Sequence, residues 1–340
     1  MAAPARVATV HIDDEWRRWI AENLLLNRQP PGIFAAMLRA GIPAMEAQNE
    51  LQQAMRSPYV TGAQRLRNRL EKRDWLLETQ RTRSRLRDPE IQRRHKLSAS
   101  EFLDAYYTAG RPVIITGMMD DWPAMSRWSL QYFRERFGNR TVEVQFGREA
   151  DPRYEINKTQ HARSMLFGDY VTMVEQGART NDFYMTAYNE GTNRAALADL
   201  WEDVVQVPEY LDGSGDHNGF IWVGPAGTIT PFHHDLSNIF MAQVIGRKRV
   251  QIISSTESAR LYNSEACFSP VDGRNIDFDR YPLMSDAHIL SCTLEPGEIL
   301  FLPVGCWHFV EGLDASVMMS FINFRWANDF TAEYPKDQVF

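Results

Sequence analysis

The stretch Thr230-Pro231-Phe232-His233-His234-Asp235-Leu236-Ser237-Asn238 and the distant His308, in the run Gly297–Phe309, carry the residue types of a two-histidine, one-carboxylate metal centre. Such a set holds Fe(II) on one face, leaves it a net charge of about +1, and keeps the other face open for a bidentate 2-oxo acid and O2. Residues two apart on an extended strand point to the same side, so His233 and Asp235 face inward together while His234 faces away. The other histidine must return from a distant strand, and Pro303-Val304-Gly305 is the tight turn that presents His308. Zinc can use the same three ligands, and a lone His-x-Asp pair is more often surface chemistry, so the assignment rests on what surrounds it.

Lys248 shares a strand face with Val250 and Ile252. An ammonium aimed into a barrel needs an anionic partner, which a dicarboxylate cosubstrate would provide; the competing reading is a lysine that snorkels to the sheet edge. His11, His95, His161, His217 and His288 lie outside the motif and read as surface or satisfied core.

These residues need a rigid β scaffold, and the chain supplies one after about residue 97. Short β-rich runs separated by Gly, Pro, Asn and Asp predict strands over Pro112–Thr116, Thr141–Phe146, Phe220–Val223, Ile239–Val244, Lys248–Ile253, Ile299–Leu302 and Ser316–Phe324. Together they predict a mainly β fold, a double-stranded β-helix or jelly roll whose interior holds a ligand. Flanking helices are expected at Ser98–Ala109, Ser129–Phe137 and Ala195–Val205. Residues 15 to 95 read instead as helices: Trp16, Trp19, Ile20 and Leu24 repeat at helical spacing, as do Leu66, Leu70, Leu76 and Leu77. Gly41-Ile42-Pro43 divides Phe34–Met55 into two short helices. The expected domains are a helical region, 1–96, and a catalytic domain, 97–340.

Composition narrows the classes. With 44% hydrophobic and 24% charged residues and no apolar run of roughly 18, the chain reads as a globular protein without a membrane anchor. The N-terminus carries no secretory pattern, so a cytoplasmic location is expected. Cys267, Cys292 and Cys306 are odd in number and lack Cys-x-x-Cys spacing, which argues against a disulfide framework or a cysteine zinc site. The formal charge of -7 hides an asymmetry: residues 1–100 carry 18 Lys+Arg against 11 Asp+Glu, the remainder 19 against 33. The Arg residues between 65 and 94 are interleaved with Glu, Asp and Leu as on a solvated helix, and no aromatic interleaving accompanies them, which disfavours nucleic acid as a partner.

The compound pattern T-P-x-H-x-D-x-x-x-N followed by F-x-A-Q-x-x-G-x-K-R is met by Thr230, Pro231, His233, Asp235, Asn238, Phe240, Ala242, Gln243, Gly246, Lys248 and Arg249. On these residues, residues 98 to 326 resemble the cupin-type JmjC hydroxylases that use Fe(II), 2-oxoglutarate and O2. Within them the chain is similar to the asparaginyl hydroxylase of the hypoxia-inducible transcription factor. The resemblance implies that His233, Asp235 and His308 are iron ligands. It implies that Lys248, Thr230 and Tyr184 bind 2-oxoglutarate, with Asn238 and Asn323 lining its site. Met185 and Thr186 stand where that hydroxylase has glutamines near the substrate amide, and Arg325 replaces a tryptophan; all three are candidate substrate contacts. Its C-terminal dimerisation helices have no counterpart, so any homodimer would use another surface, with the N-terminal helices as the candidate.

The expected reaction is hydroxylation of a side-chain carbon of a peptide or protein. Trp201, Trp222, Trp307 and Trp326 are candidates for a peptide groove, with core packing the competing reading. The alternatives are N-demethylation or small-molecule hydroxylation at the same centre, a metal-dependent isomerase or lyase, and a non-catalytic binding module.

Overall fold

Asp13 accepts a hydrogen bond from the Trp16 amide at 2.9 Å and so starts the first helix, α1, Asp14–Leu25. Pro30 opens α2, Pro30–Arg39, at a position where its missing N–H would be unpaired anyway. Pro43 precedes α3, Ala44–Arg56, so the break at Gly41-Ile42-Pro43 falls between two helices. Ile20, Ile33, Met37, Ile42, Ala47 and Leu51 form one small apolar core. The long α4, Pro58–Ser84, keeps Leu66, Leu70, Leu76 and Leu77 exposed. The computed structural model describes residues 11–86, 90–186, 191–205, 207–214, 219–263 and 265–335; His217 lies outside them. No described helix is long and apolar enough to cross a membrane.

The chain divides by compactness into residues 1–80 and 81–340. Thirteen strands run through the described residues of the second unit: β1 Arg93–His95, β2 Val113–Thr116, β3 Thr141–Phe146, β4 Ala162–Leu166, β5 Phe183–Tyr184, β6 Phe220–Gly224, β7 Ile229–His233, β8 Ile239–Ile245, β9 Lys248–Ile253, β10 Ile289–Leu294, β11 Glu298–Leu302, β12 Trp307–Gly312 and β13 Ser316–Phe321. A six-stranded sheet, β1-β2-β11-β8-β13-β6, and a four-stranded sheet, β10-β9-β12-β7, make the double-stranded β-helix, and β4-β3-β5 form a third sheet. By compactness the second unit starts at Arg81 rather than at residue 97, and within it β1 pairs in parallel with β2.

Side-chain alternation assigns each strand face. Met241, Leu300 and Met318 from the larger sheet meet Val250, Ile252 and Val310 from the smaller one in a single apolar cluster. Phe240, Phe301 and Met319 point the other way, into a core with Phe102, Phe133 and Phe167 from the flanking helices. Both faces of β11 and β13 are buried, and apart from Glu298, Ser316 and Ser320 their residues are apolar. Leu261, Val271 and Met284 cover the outer face of the smaller sheet.

Gly246 makes the tight β8–β9 turn at φ +69°, in the left-handed region, and a Cβ there would sit 2.2 Å from the Ala315 carbonyl oxygen. Gly246→Ala is therefore expected to cost about 2 kcal/mol or more, read as a lowered thermal midpoint. An unchanged midpoint would show that the turn relaxes.

Candidate metal centre and cosubstrate pocket

β7 and β12 run antiparallel and set His233 directly opposite His308, with ring centroids 4.1 Å apart. Between His308 and Val310 the register shifts, so that Val310 faces Thr230 and β7 carries one extra residue. This irregularity lets Thr230 and His233, three positions apart, line the same pocket, which a regular strand would forbid. β7 ends at His233, and Asp235 lies in the irregular loop that follows rather than on the strand.

The two imidazoles are oriented by backbone carbonyls. His233 Nδ1 lies 2.8 Å from the Pro231 oxygen and His308 Nδ1 lies 3.1 Å from the Cys306 oxygen. A carbonyl only accepts, so each Nδ1 carries a proton and Nε2 is the ring nitrogen turned toward the site. Asp235 Oδ1 is 4.0 Å from His233 Nε2, and its Oδ2 is 3.4 Å from His308 Nε2. One ligand atom from each of the three side chains lies within 4.8 Å of the others. Burial, reinforced by the neighbouring His233, pushes the His308 pKa well below its ordinary value, which keeps this ring neutral. Burial also raises the Asp235 pKa. Two imidazole nitrogens and a carboxylate converge within 4.8 Å of one another, a donor set that fits a divalent metal ion.

The surrounding turns lock this corner. Gly305 donates its amide to the Asp235 carbonyl at 3.1 Å, and Val304 donates to Asn238 Oδ1 at 2.8 Å, which ties the turn before His308 to the loop after Asp235. His234 points elsewhere: its Nε2 lies 3.1 Å from the Tyr334 hydroxyl and its ring sits edge-on to Trp307.

Beside the triad, Lys248 is 1% exposed on the face it shares with Val250 and Ile252. Its ammonium donates to the Tyr184 hydroxyl at 2.8 Å, and burial pushes its pKa down to about 7. Tyr184, Thr230, Lys248, His233, Asp235 and His308 all line this one pocket. Trp222 and Ser320 line it too, joined by a 2.9 Å bond from the indole nitrogen to the hydroxyl. Ser320 was not foreseen, although its two-residue spacing from Met318 on β13 was there to read.

Other expected site residues are placed elsewhere. The Asn238 amide is consumed by the Val304 amide and by Asn328, whose Oδ1 is 2.7 Å away. Asn323 donates from Nδ2 to the Asp212 carbonyl at 2.7 Å. Neither lines the pocket; both hold chain turns. Met185 is fully buried in the core between the large sheet and the helices, where its backbone pairs with Val223. Thr186 is buried and accepts from Gln145 Nε2 at 3.2 Å. Arg325 is exposed and donates to the Pro208 carbonyl. Of the four tryptophans considered for a groove, Trp222 alone lines this pocket, whereas Trp201 and Trp307 are buried in apolar cores and Trp326 packs against one.

A larger cavity of about 730 Å³ lies against the opposite face of β7 and β12, lined by Ile229, Pro231 and Phe309. Phe268 also lines it and stacks on the His233 ring at 5.9 Å.

Residues 99–332 match the family described as Cupin-like domain. Over 240 residues the chain is 31% identical to a protein of Xenopus tropicalis named lysine-specific demethylase 8, a match covering 68% of this chain and 52% of the relative. It is 32% identical over 249 residues to lysine-specific demethylase JMJ30 of Arabidopsis thaliana, covering 70% and 55%. It is 26% identical over 238 residues to tRNA wybutosine-synthesizing protein 5 of Gallus gallus, covering 66% and 74%. The chain thus spans about half the length of the two demethylase-named relatives. These likenesses support the broad resemblance drawn from the motif and not its narrower form, similarity to an asparaginyl hydroxylase in particular.

Proposed function

The chain belongs to the cupin-like JmjC family, and from that premise we propose that it is an Fe(II)- and 2-oxoglutarate-dependent oxygenase that hydroxylates a side-chain carbon of a peptide or protein. The observation that carries this reading is the convergence of His233, Asp235 and His308 into one ligand set beside a buried lysine. Fe(II) held there would supply the oxidation, in which R–H, 2-oxoglutarate and O2 become R–OH, succinate and CO2.

The chain's own groups bind and orient. Lys248 Nζ, with the Tyr184 and Thr230 hydroxyls, takes the distal carboxylate of 2-oxoglutarate, and Met241, Leu302 and Met318 give the same pocket an apolar wall.

Lys248 gives this reading a pH signature. An ammonium whose pKa is near 7 in the empty pocket must be protonated to hold a carboxylate. The 2-oxoglutarate affinity is therefore expected to fall as pH rises through 7, approaching tenfold per unit, when measured by titration of the Mn(II) form. A flat profile between pH 6 and 9 would remove Lys248 from that contact.

The test of function is aerobic incubation with Fe(II), 2-oxoglutarate and a peptide library, scoring succinate and substrate mass. A gain of 16 Da supports hydroxylation. A loss of 14 Da would instead support N-demethylation at the same centre, the reading favoured by the names of two relatives. Absence of succinate with every substrate would leave a binding module.

A further inference from the structure

Arg148 is 0% exposed, lies outside the cosubstrate pocket and in the wall of the larger cavity, yet it touches two of the elements that build the pocket. It follows Gly147, whose left-handed φ of +74° turns the chain back after β3. Its Nη2 donates to Glu155 Oε1 at 2.9 Å and to the Ile229 carbonyl at 2.6 Å, immediately before Thr230. The guanidinium carbon lies 4.3 Å from the Tyr154 ring centroid and 5.2 Å from that of Tyr184. Tyr184 in turn accepts the Lys248 ammonium. The same Ile229 is held at its amide by Asn181 Oδ1 at 2.8 Å.

Stability alone does not account for this arrangement. Nε and Nη1 of Arg148 are buried without an acceptor among the described residues. A buried ion pair that leaves donors unpaired is commonly matched or bettered by an apolar side chain of similar volume. What a guanidinium supplies here, and an apolar chain cannot, is a cation against the Tyr184 ring and a donor to the carbonyl before Thr230.

We infer that Arg148 is a positioning residue for the cosubstrate site, setting the Tyr184 ring so that its hydroxyl holds the Lys248 ammonium where the distal carboxylate of 2-oxoglutarate binds. This rests on the oxygenase reading. Arg148 itself need touch neither metal nor cosubstrate.

The experiment is 2-oxoglutarate titration of the Mn(II)-loaded full chain, with Mn(II) affinity measured separately. Arg148→Met is expected to weaken 2-oxoglutarate by about tenfold and leave Mn(II) binding within twofold, with partial recovery in Arg148→Lys. Tyr184→Phe should weaken it similarly, and Arg148→Met combined with Tyr184→Phe should be little worse than either alone, because the two act through one contact. Fully multiplicative losses, or wild-type 2-oxoglutarate affinity in Arg148→Met, would overturn the inference. If Arg148→Met does not fold, Arg148→Gln carries the same two readings. A wild-type protein that binds Mn(II) but not 2-oxoglutarate would instead overturn the oxygenase reading, and this inference with it.

Discussion

Asp235→Asn is expected to abolish metal-dependent turnover while making the metal-free protein no less stable. The side chain keeps its shape and loses its charge, and with it the anionic member of the donor set around the metal. A metal that contributes several kcal/mol to a barrier, at 1.36 kcal/mol per tenfold, sets the loss at about a thousandfold or more. In the metal-free chain the same change removes a buried carboxylate whose charge is disfavoured by burial, and an amide keeps its shape without that charge. Wild type should therefore gain thermal stability on adding Mn(II), and Asp235→Asn should not respond. Equal Mn(II)-induced shifts in the two proteins would sink the assignment of Asp235 as a ligand. His308→Ala should lose the response in the same way, because His308 comes from the strand directly opposite His233.

The sequence carried the strand faces better than the irregularities between them. Lys248–Ile253 and Thr141–Phe146 were bounded correctly because alternation or turn residues mark their ends. Lys248, Val250 and Ile252 could be placed on one face from parity alone. β1 was missed because Arg93-Arg94-His95 has no apolar signal and exists through its parallel pairing with β2. β5, two residues long, gives no period to detect.

The same distinction runs through the site. His233 and Asp235 were legible as a pair by spacing, but Thr230 joins them through a register shift set by β12, which no local pattern encodes. Asn238 and Asn323 match a pattern of types and spacings, yet which way an amide turns depends on acceptors and donors brought from Val304, Asn328 and Asp212. Met185 follows a two-residue strand whose face is set by pairing with β3 and Val223, so spacing could not tell core from pocket. Arg148 and Ile229 are 81 positions apart, and their contact belongs to the tertiary fold alone.

Lys248→Met should weaken 2-oxoglutarate by about tenfold to a hundredfold while leaving metal binding intact, because a charge-assisted bond to a buried carboxylate is worth roughly 1.5–3 kcal/mol. The same variant should be more stable than wild type at neutral pH. The folded-state pKa of Lys248 is about 7 against an ordinary value of 10.5, so between those two values the unfolded chain binds the proton and the folded chain does not. Stability of the wild type therefore rises with pH from about 7 toward 10.5, and below 7 the burial cost is present in full. Methionine removes that cost, so the advantage of Lys248→Met in thermal midpoint should be largest at pH 7 and below and shrink toward pH 10. A variant that gains stability and loses cosubstrate is the behaviour of a residue retained for function against its own folding cost. Loss of stability at pH 7 together with unchanged 2-oxoglutarate affinity would make Lys248 a structural lysine, satisfied by Tyr184 alone.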